Sequence, residues 1–148
     1  MKVAIGSDHG GLVIKREIMK LMDEMQIEFK DFGCGVEDSV DYPDYAMPVA
    51  ESVATGEFDR GILICGTGIG MSIAANKVAG IRCALVHDVF SAEATRAHND
   101  SNVLAMGERV IGPGLARMIA KTWLATEYEG GRHAARVAKI VAIENEGI

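Results

Sequence analysis

Cysteine is scarce in this chain. Only three occur among 148 residues, Cys34, Cys65 and Cys83, and their spacing shows no pairing. So odd and sparse a set excludes a disulfide framework and fits a reducing compartment. No apolar run approaches the length needed to cross a bilayer. No secretory leader is expected, because Lys2-Val3-Ala4-Ile5-Gly6-Ser7-Asp8 turns polar at once. A cytoplasmic location is the expectation. Positive charge is also short: 15 Lys and Arg against 21 Asp and Glu leave a net charge of −6. That balance argues against nucleic acid or an anionic membrane as a general partner. The four histidines, His9, His87, His98 and His133, show no H-E-x-x-H or similar spacing. With the cysteines they are too scattered for a zinc signature, so no metal is expected. Internal repeats, linkers and low-complexity tracts are absent as well.

What remains is a chain that is 49% apolar and 24% charged, the make-up of a soluble globular protein. Its length suits one domain, residues 1–148. Strand-like and helix-like patterns alternate. Strands are expected at Lys2 to Gly6, Ile27 to Phe32, Gly61 to Cys65, Ile81 to His87 and Val103 to Met106. The third is apolar throughout and should be central, while the second is partly polar and should lie near an edge. Helices are expected at Gly11 to Met25, Pro43 to Ala54, Met71 to Asn76, Val89 to His98, Gly114 to Leu124 and Arg132 to Glu144. Such alternation implies an α/β fold with a parallel sheet covered on both faces. Ligands of these sheets bind beyond the carboxyl ends of the strands. Polar residues stand at those ends: Ser7, Asp8 and His9, then Cys65 and Thr67, then His87 and Asp88, then Arg109.

Cys65 carries the most information. It joins the apolar run Ile62-Leu63-Ile64 to the turn Gly66-Thr67-Gly68-Ile69-Gly70, which opens a helix. A thiol there faces free N–H groups and a positive dipole end, which favour a thiolate, hence a base or nucleophile. The N–H groups of the same turn can also hold an anion. The turn lacks the Lys-Ser/Thr pair of a P-loop, and its third glycine falls one position early for a dinucleotide fingerprint. The plainer reading makes Cys65 a small core hydrophobe in a tight turn; position alone does not choose between the two. Cys83 reads as core, and Cys34, in a glycine-flanked loop, as exposed.

Other candidates are weaker alone. Asp8 precedes a helix start and reads as a cap or a ligand. His98 lies near a helix C-terminus, where it complements the dipole, but a polar run, Asn99-Asp100-Ser101-Asn102, follows it. Arg132 and Arg136 share a helix face at an N-terminus, where the dipole disfavours cations. A bridging phosphate would remove that conflict; a solvated or salt-bridged pair is the alternative.

Taken together, several segments resemble the type B ribose-5-phosphate isomerases, in the sugar-phosphate isomerase family that includes galactose-6-phosphate and allose-6-phosphate isomerases. The likeness runs through Gly6-Ser7-Asp8-His9-Gly10-Gly11, Asp41-Tyr42-Pro43-Asp44-Tyr45-Ala46 and Ile64 to Gly70. It continues through Gly80-Ile81-Arg82, Arg96 to Leu104, Gly107-Glu108-Arg109-Val110 and Tyr128 to His133. The resemblance implies a Rossmann-like three-layer α/β/α sandwich with a five-stranded parallel sheet in the order 2-1-3-5-4. It implies a homodimer, paired into a tetramer in some members, with sites at the subunit interface. It implies a phosphorylated sugar substrate and aldose–ketose isomerisation without a cofactor. Some members use a glutamate at the following helix start; here Cys65 is present and Met71 stands in that helix start. By the same resemblance Cys65 is the base at C2, His98 opens the sugar ring with Asp8 as helper, and Thr67 assists a proton transfer. Gly66, Gly68, Ile69 and Gly70 line the oxyanion, Asn99 binds hydroxyls, and Arg109, Arg132, Arg136 and His9 hold the phosphate. A six-carbon sugar phosphate isomerase and a non-catalytic sugar-phosphate sensor stay open as alternatives.

Overall fold

The computed structural model describes residues 1–146. Five strands form its sheet: β1 (Lys2–Ser7), β2 (Glu28–Asp31), β3 (Arg60–Cys65), β4 (Cys83–Leu85) and β5 (Val103–Gly107). Six α-helices connect and follow them: α1 (Leu12–Glu24), α2 (Pro43–Ala54), α3 (Ile69–Ala75), α4 (Val89–Asn99), α5 (Pro113–Ala125) and α6 (Arg132–Asn145). The strand order is β2-β1-β3-β5-β4 and every pairing is parallel, as the sequence led us to expect.

The two faces of the sheet carry separate cores, and strand alternation assigns residues to each. Val3, Ile5, Ile62, Ile64, Leu104 and Met106 pack with Ile14, Ile18 and Met22 of α1 and Ile119 and Trp123 of α5. Ala4, Leu63, Cys65, Val103 and Ala105 face the other way, onto Ala46 and Val49 of α2 and Met71 of α3. Each fully buried Ile or Leu in these layers contributes about 1.5–3 kcal/mol. All six residues of β3 are buried, which fits its central place. By contrast β2 has one half-buried residue, Phe29, and three exposed ones, as an edge strand should.

Two expectations need correction. The fourth strand, expected over Ile81 to His87, is only three residues long. It is an edge strand, and its approach is diverted: the Ile81 N–H donates to the Val78 carbonyl, and the Arg82 N–H donates to Asn102 Oδ1 at 2.8 Å. Cys34, expected to be exposed, is buried. Its N–H donates to the Ser7 carbonyl, its carbonyl accepts from Lys15 Nζ, and its thiol donates to the Val36 carbonyl at 3.3 Å.

Candidate active site

The carboxyl rim of the sheet is assembled by short backbone contacts. The Asp8 N–H donates to the Ile64 carbonyl, the Glu108 N–H to the Cys65 carbonyl and the Arg109 N–H to the Gly66 carbonyl. These bonds bring the ends of β1, β3 and β5 together. Asp8 caps a single 3-10 turn over His9–Gly11, its Oδ1 accepting from the Gly10 N–H at 2.8 Å. That turn lies against the glycine loop, since a Cβ on Gly10 would stand 3.2 Å from the Gly66 nitrogen. His9 Nδ1 accepts from the Val40 N–H at 3.2 Å, which fixes its ring.

Cys65 ends β3 and is almost fully enclosed. The Gly68 N–H donates to its sulfur at 3.0 Å. Gly68 adopts φ +76°, a left-handed conformation that turns its N–H back toward the strand end. Bulk is excluded there too: a Cβ on Gly68 would meet Leu85 and the Met106 backbone within 2.7 Å. Thr67 is exposed above the thiol's turn, and its Oγ1 accepts from the Ile69 N–H at 3.3 Å. Gly70 lies in the first turn of α3, where N–H groups have no partner inside the helix. The Arg109 side chain runs alongside Gly66, 3.4 Å from where a Cβ would be. Asp8, His9, Cys65, Thr67, the loop Gly66–Gly70 and Arg109 therefore share one rim.

His98, Asn99, Arg132 and Arg136 do not join them within the chain. Helix α4 starts at the carboxyl end of β4 and runs back, so His98 and Asn99 arrive beside the start of β5. The Asn102 N–H donates to the Arg82 carbonyl just before β4, which holds the run at the amino ends of the strands. Val103 pairs with Gly61, whereas Gly107 pairs with Cys65. Four steps along β5, about 13 Å, separate these levels. His98 is stacked on His133 of α6, with ring centroids 4.2 Å apart and planes 10° from parallel. That contact brings the start of α6, and with it Arg132 and Arg136, to the same end. Both arginines are exposed, and neither makes an ion pair among the described residues. Each chain thus presents two candidate half-sites, the two groups of candidate residues lying at opposite ends of its sheet.

The polar run after His98 divides in two. Asp100 pairs with Arg96 and Arg82, Ser101 Oγ accepts from Trp123 Nε1 at 2.9 Å, and Asn102 bonds to Arg82 and Gly80. Those three residues are structural. The Asn99 side chain is left exposed. His87, expected among the rim residues, is an acceptor for the backbone: the Gly107 N–H donates to its Nε2 at 2.9 Å. Burial pushes the His87 pKa down, with Asp88 opposing.

Two residues had no assigned role from sequence. Tyr42, at the start of α2, lays its ring over Gly70, where a Cβ would meet it at 2.7 Å. His133 is buried under His98, and its Nε2 lies 3.5 Å from Glu129 Oε2. Burial pushes the His133 pKa down, and the nearby His98 and Arg132 charges add to this. The Gly70–Tyr42 contact has no signature at the sequence level, because the residues come from the starts of two separate helices. His133 stood in plain view beside Arg132, but a lone histidine at a helix start carries no pattern.

A doubly covered parallel sheet carries a thiol and a glycine loop at its carboxyl rim, and known proteins define the class as isomerases of phosphorylated sugars. A family model described as ribose/galactose isomerase matches residues 3–140. A Bacillus subtilis protein named provisionally as a sugar phosphate isomerase is 70% identical over the full length of both chains. Ribose-5-phosphate isomerase B of Escherichia coli is 53% identical over 97% of this chain and 96% of its own. The solved structure of ribose-5-phosphate isomerase B from Clostridium thermocellum superimposes with a TM-score of 0.96 at 55% identity, covering 99% of each chain. The chain belongs to the ribose/galactose isomerase family and is a sugar phosphate isomerase.

Proposed function

We propose that the enzyme interconverts ribose 5-phosphate and ribulose 5-phosphate through a cis-enediolate, with Cys65 as the base. The observation that carries this reading is the Gly68 N–H donated to Cys65 Sγ at 3.0 Å, at the carboxyl rim beside Asp8. The five-carbon substrate is supported by the names of the Escherichia coli and Clostridium thermocellum relatives.

The reaction follows from the groups at hand. Cyclic ribose 5-phosphate must first open, which needs an acid–base group; His98 has that role, with Asp8 as helper. The Cys65 thiolate then takes the C2 proton. The C–H electron pair forms the C1–C2 double bond, and the carbonyl pair moves onto O1. Backbone N–H groups of the Gly66–Gly70 loop stabilise that oxyanion. Thr67 passes a proton from O2 to O1. The thiol returns its proton to C1, leaving a carbonyl at C2 and regenerating the thiolate. Asn99 binds sugar hydroxyls, while Arg109, Arg132, Arg136 and His9 anchor the phosphate and so fix the reacting end.

This set of residues needs two copies of the chain. In a two-fold dimer, His98, Asn99, Arg132 and Arg136 of the partner subunit complete the rim that holds Cys65 and Arg109. The surface near the second half-site supports such a partner: Phe90 is 79% exposed on α4, and Ile140 and Ile143 are 47% and 60% exposed on α6.

The test is turnover. Wild-type protein should isomerise ribose 5-phosphate with a higher kcat/KM than allose 6-phosphate or galactose 6-phosphate. Cys65→Ala should lose at least about 1,000-fold in kcat, an acid–base effect of the upper size expected for a positioned group, while its circular dichroism stays unchanged. Substantial turnover in Cys65→Ala would move the base elsewhere. Preference for a six-carbon sugar would reassign the substrate, and phosphate-sugar binding without turnover would make the protein a sensor.

A further inference from the structure

We propose that His98, Glu129 and His133 form a binding site for a divalent transition ion, zinc above all, and that filling it switches the enzyme off. The inhibitory half rests on the ring-opening role proposed for His98; the binding half does not. The three residues each offer a ligand atom, and those atoms all lie within 4.8 Å of one another. They converge from the end of α4, the loop before α6 and the first turn of α6. Glu129 is anchored there by its N–H, which donates to the Ala97 carbonyl.

A second observation points into the same place. His133 is only 7% exposed, and its buried Nε2 has no hydrogen-bond partner among the described residues. Glu129 Oε2, at 3.5 Å, is too far for a good bond. An unpaired buried nitrogen costs free energy, and a metal ion would supply the missing partner. Two imidazoles and one carboxylate are a preferred donor set for zinc, with a water in the fourth position. Beside the cluster, a cavity of about 140 Å³ lined by Phe90, Glu93, Ala97, His98 and Glu129 leaves room for that water.

Geometry then links binding to inhibition. Tetrahedral zinc with ligands at about 2.0 Å holds its donor atoms about 3.3 Å apart. The ligand atoms must therefore draw together by up to roughly 1.5 Å. Stacked rings also keep their in-plane lone pairs within two nearly parallel, offset planes, so the present stack does not aim both nitrogens at one point. His98 is the half-exposed member, and imidazole χ2 torsions have broad wells, so it is the ring that turns. Turning and coordination remove His98 from the position and the protonation states that ring opening requires.

Cobalt(II) provides a readout independent of activity, because a tetrahedral nitrogen–oxygen site gives visible absorption bands. Wild-type protein and Cys65→Ala should both show these bands, and zinc should displace them. Glu129→Gln and His133→Ala should each weaken cobalt and zinc binding by roughly ten-fold or more, the loss of a ligand worth at least 1.4 kcal/mol. Glu129 is exposed, so its variant guards against a folding defect in His133→Ala. Zinc should inhibit wild-type turnover of ribose 5-phosphate in step with site occupancy, reversibly on chelation, and far less in Glu129→Gln. Binding lost in Cys65→Ala but kept in the other two variants would place the ion on the thiol and overturn the site. No binding at millimolar metal would overturn it too. Occupancy without inhibition would overturn the inhibitory half alone. A protein that binds zinc as described but does not turn over ribose 5-phosphate would overturn the proposed reaction and leave the site standing.

Discussion

The three thiols sit in three different environments, and their chemistry separates accordingly. Burial pushes the Cys83 pKa up to about 12, which makes it inert near neutrality. Cys34 is buried, and its S–H donates a hydrogen bond to the Val36 carbonyl. Cys65 is buried too, but its sulfur accepts an N–H, and it lies where a ligand of the sheet would bind. Iodoacetamide at neutral pH should therefore modify Cys65 before the other two, with loss of activity. Ribose 5-phosphate should slow the reaction, and peptide mass spectrometry would locate the label. First labelling at Cys34 with activity retained would return Cys65 to the role of a core thiol. Glycine matters at this scale for close approach: a Cβ on Gly107 would stand 2.6 Å from the Thr67 backbone, so the loop over Cys65 can settle only because Gly107 has none.

Elements are held in register by bonds that can be titrated or cut. His87 at the end of β4 accepts the Gly107 N–H at the end of β5, directly beside the Gly66–Gly70 loop. Its pKa lies below the ordinary imidazole value of 6.5. The unfolded chain therefore binds more protons than the folded one between that depressed value and about 6.5, so stability rises with pH through this window. It is fully present above 6.5 and falls as the medium is acidified. His87→Gln, which keeps an acceptor that does not titrate, should flatten the urea midpoint between pH 7 and pH 5; an unchanged slope would assign the acid loss to another group, such as His133. Helix α6 carries the other element-scale prediction. Arg132→Ala or Arg136→Ala should remove a charge-assisted bond of about 1.5–3 kcal/mol. KM for ribose 5-phosphate should then rise roughly ten-fold or more. Inorganic phosphate should lose potency as an inhibitor in parallel, and undiminished phosphate inhibition would make both arginines surface charge. Much of this level was legible in the sequence. The apolar run of β3 announced the centre of the sheet, and the helix bounds followed from apolar spacing with Pro43 as an entry signal. The short β4 was not legible, because Val78 and Asn102 intercept the backbone before it, and the Asn102 contact to Arg82 spans 20 residues.

At the scale of the whole molecule, the placement of Cys65 and Arg109 was legible because residues following parallel strands must lie at one rim. The placement of His98 was not. A residue at the end of a returning helix falls at the opposite rim, and nothing in its sequence neighbourhood reports that. The fold therefore divides the proposed machinery, and division has a consequence that a single chain's site would not have. Cys65→Ala and His98→Asn each disable a different half of the pair that builds one site. Mixed after partial unfolding and refolding, the two inactive variants should form heterodimers in which one of the two sites carries both defects and the other carries neither. Random pairing makes about half of the dimers mixed, each with one intact site of two, so roughly a quarter of wild-type activity should return. Size-exclusion chromatography with light scattering would establish the dimer in parallel. If both variants are inactive alone and mixing restores nothing although heterodimers form, then Cys65 and His98 serve the same site from one chain. The two half-sites would then have to meet by a rearrangement within the subunit.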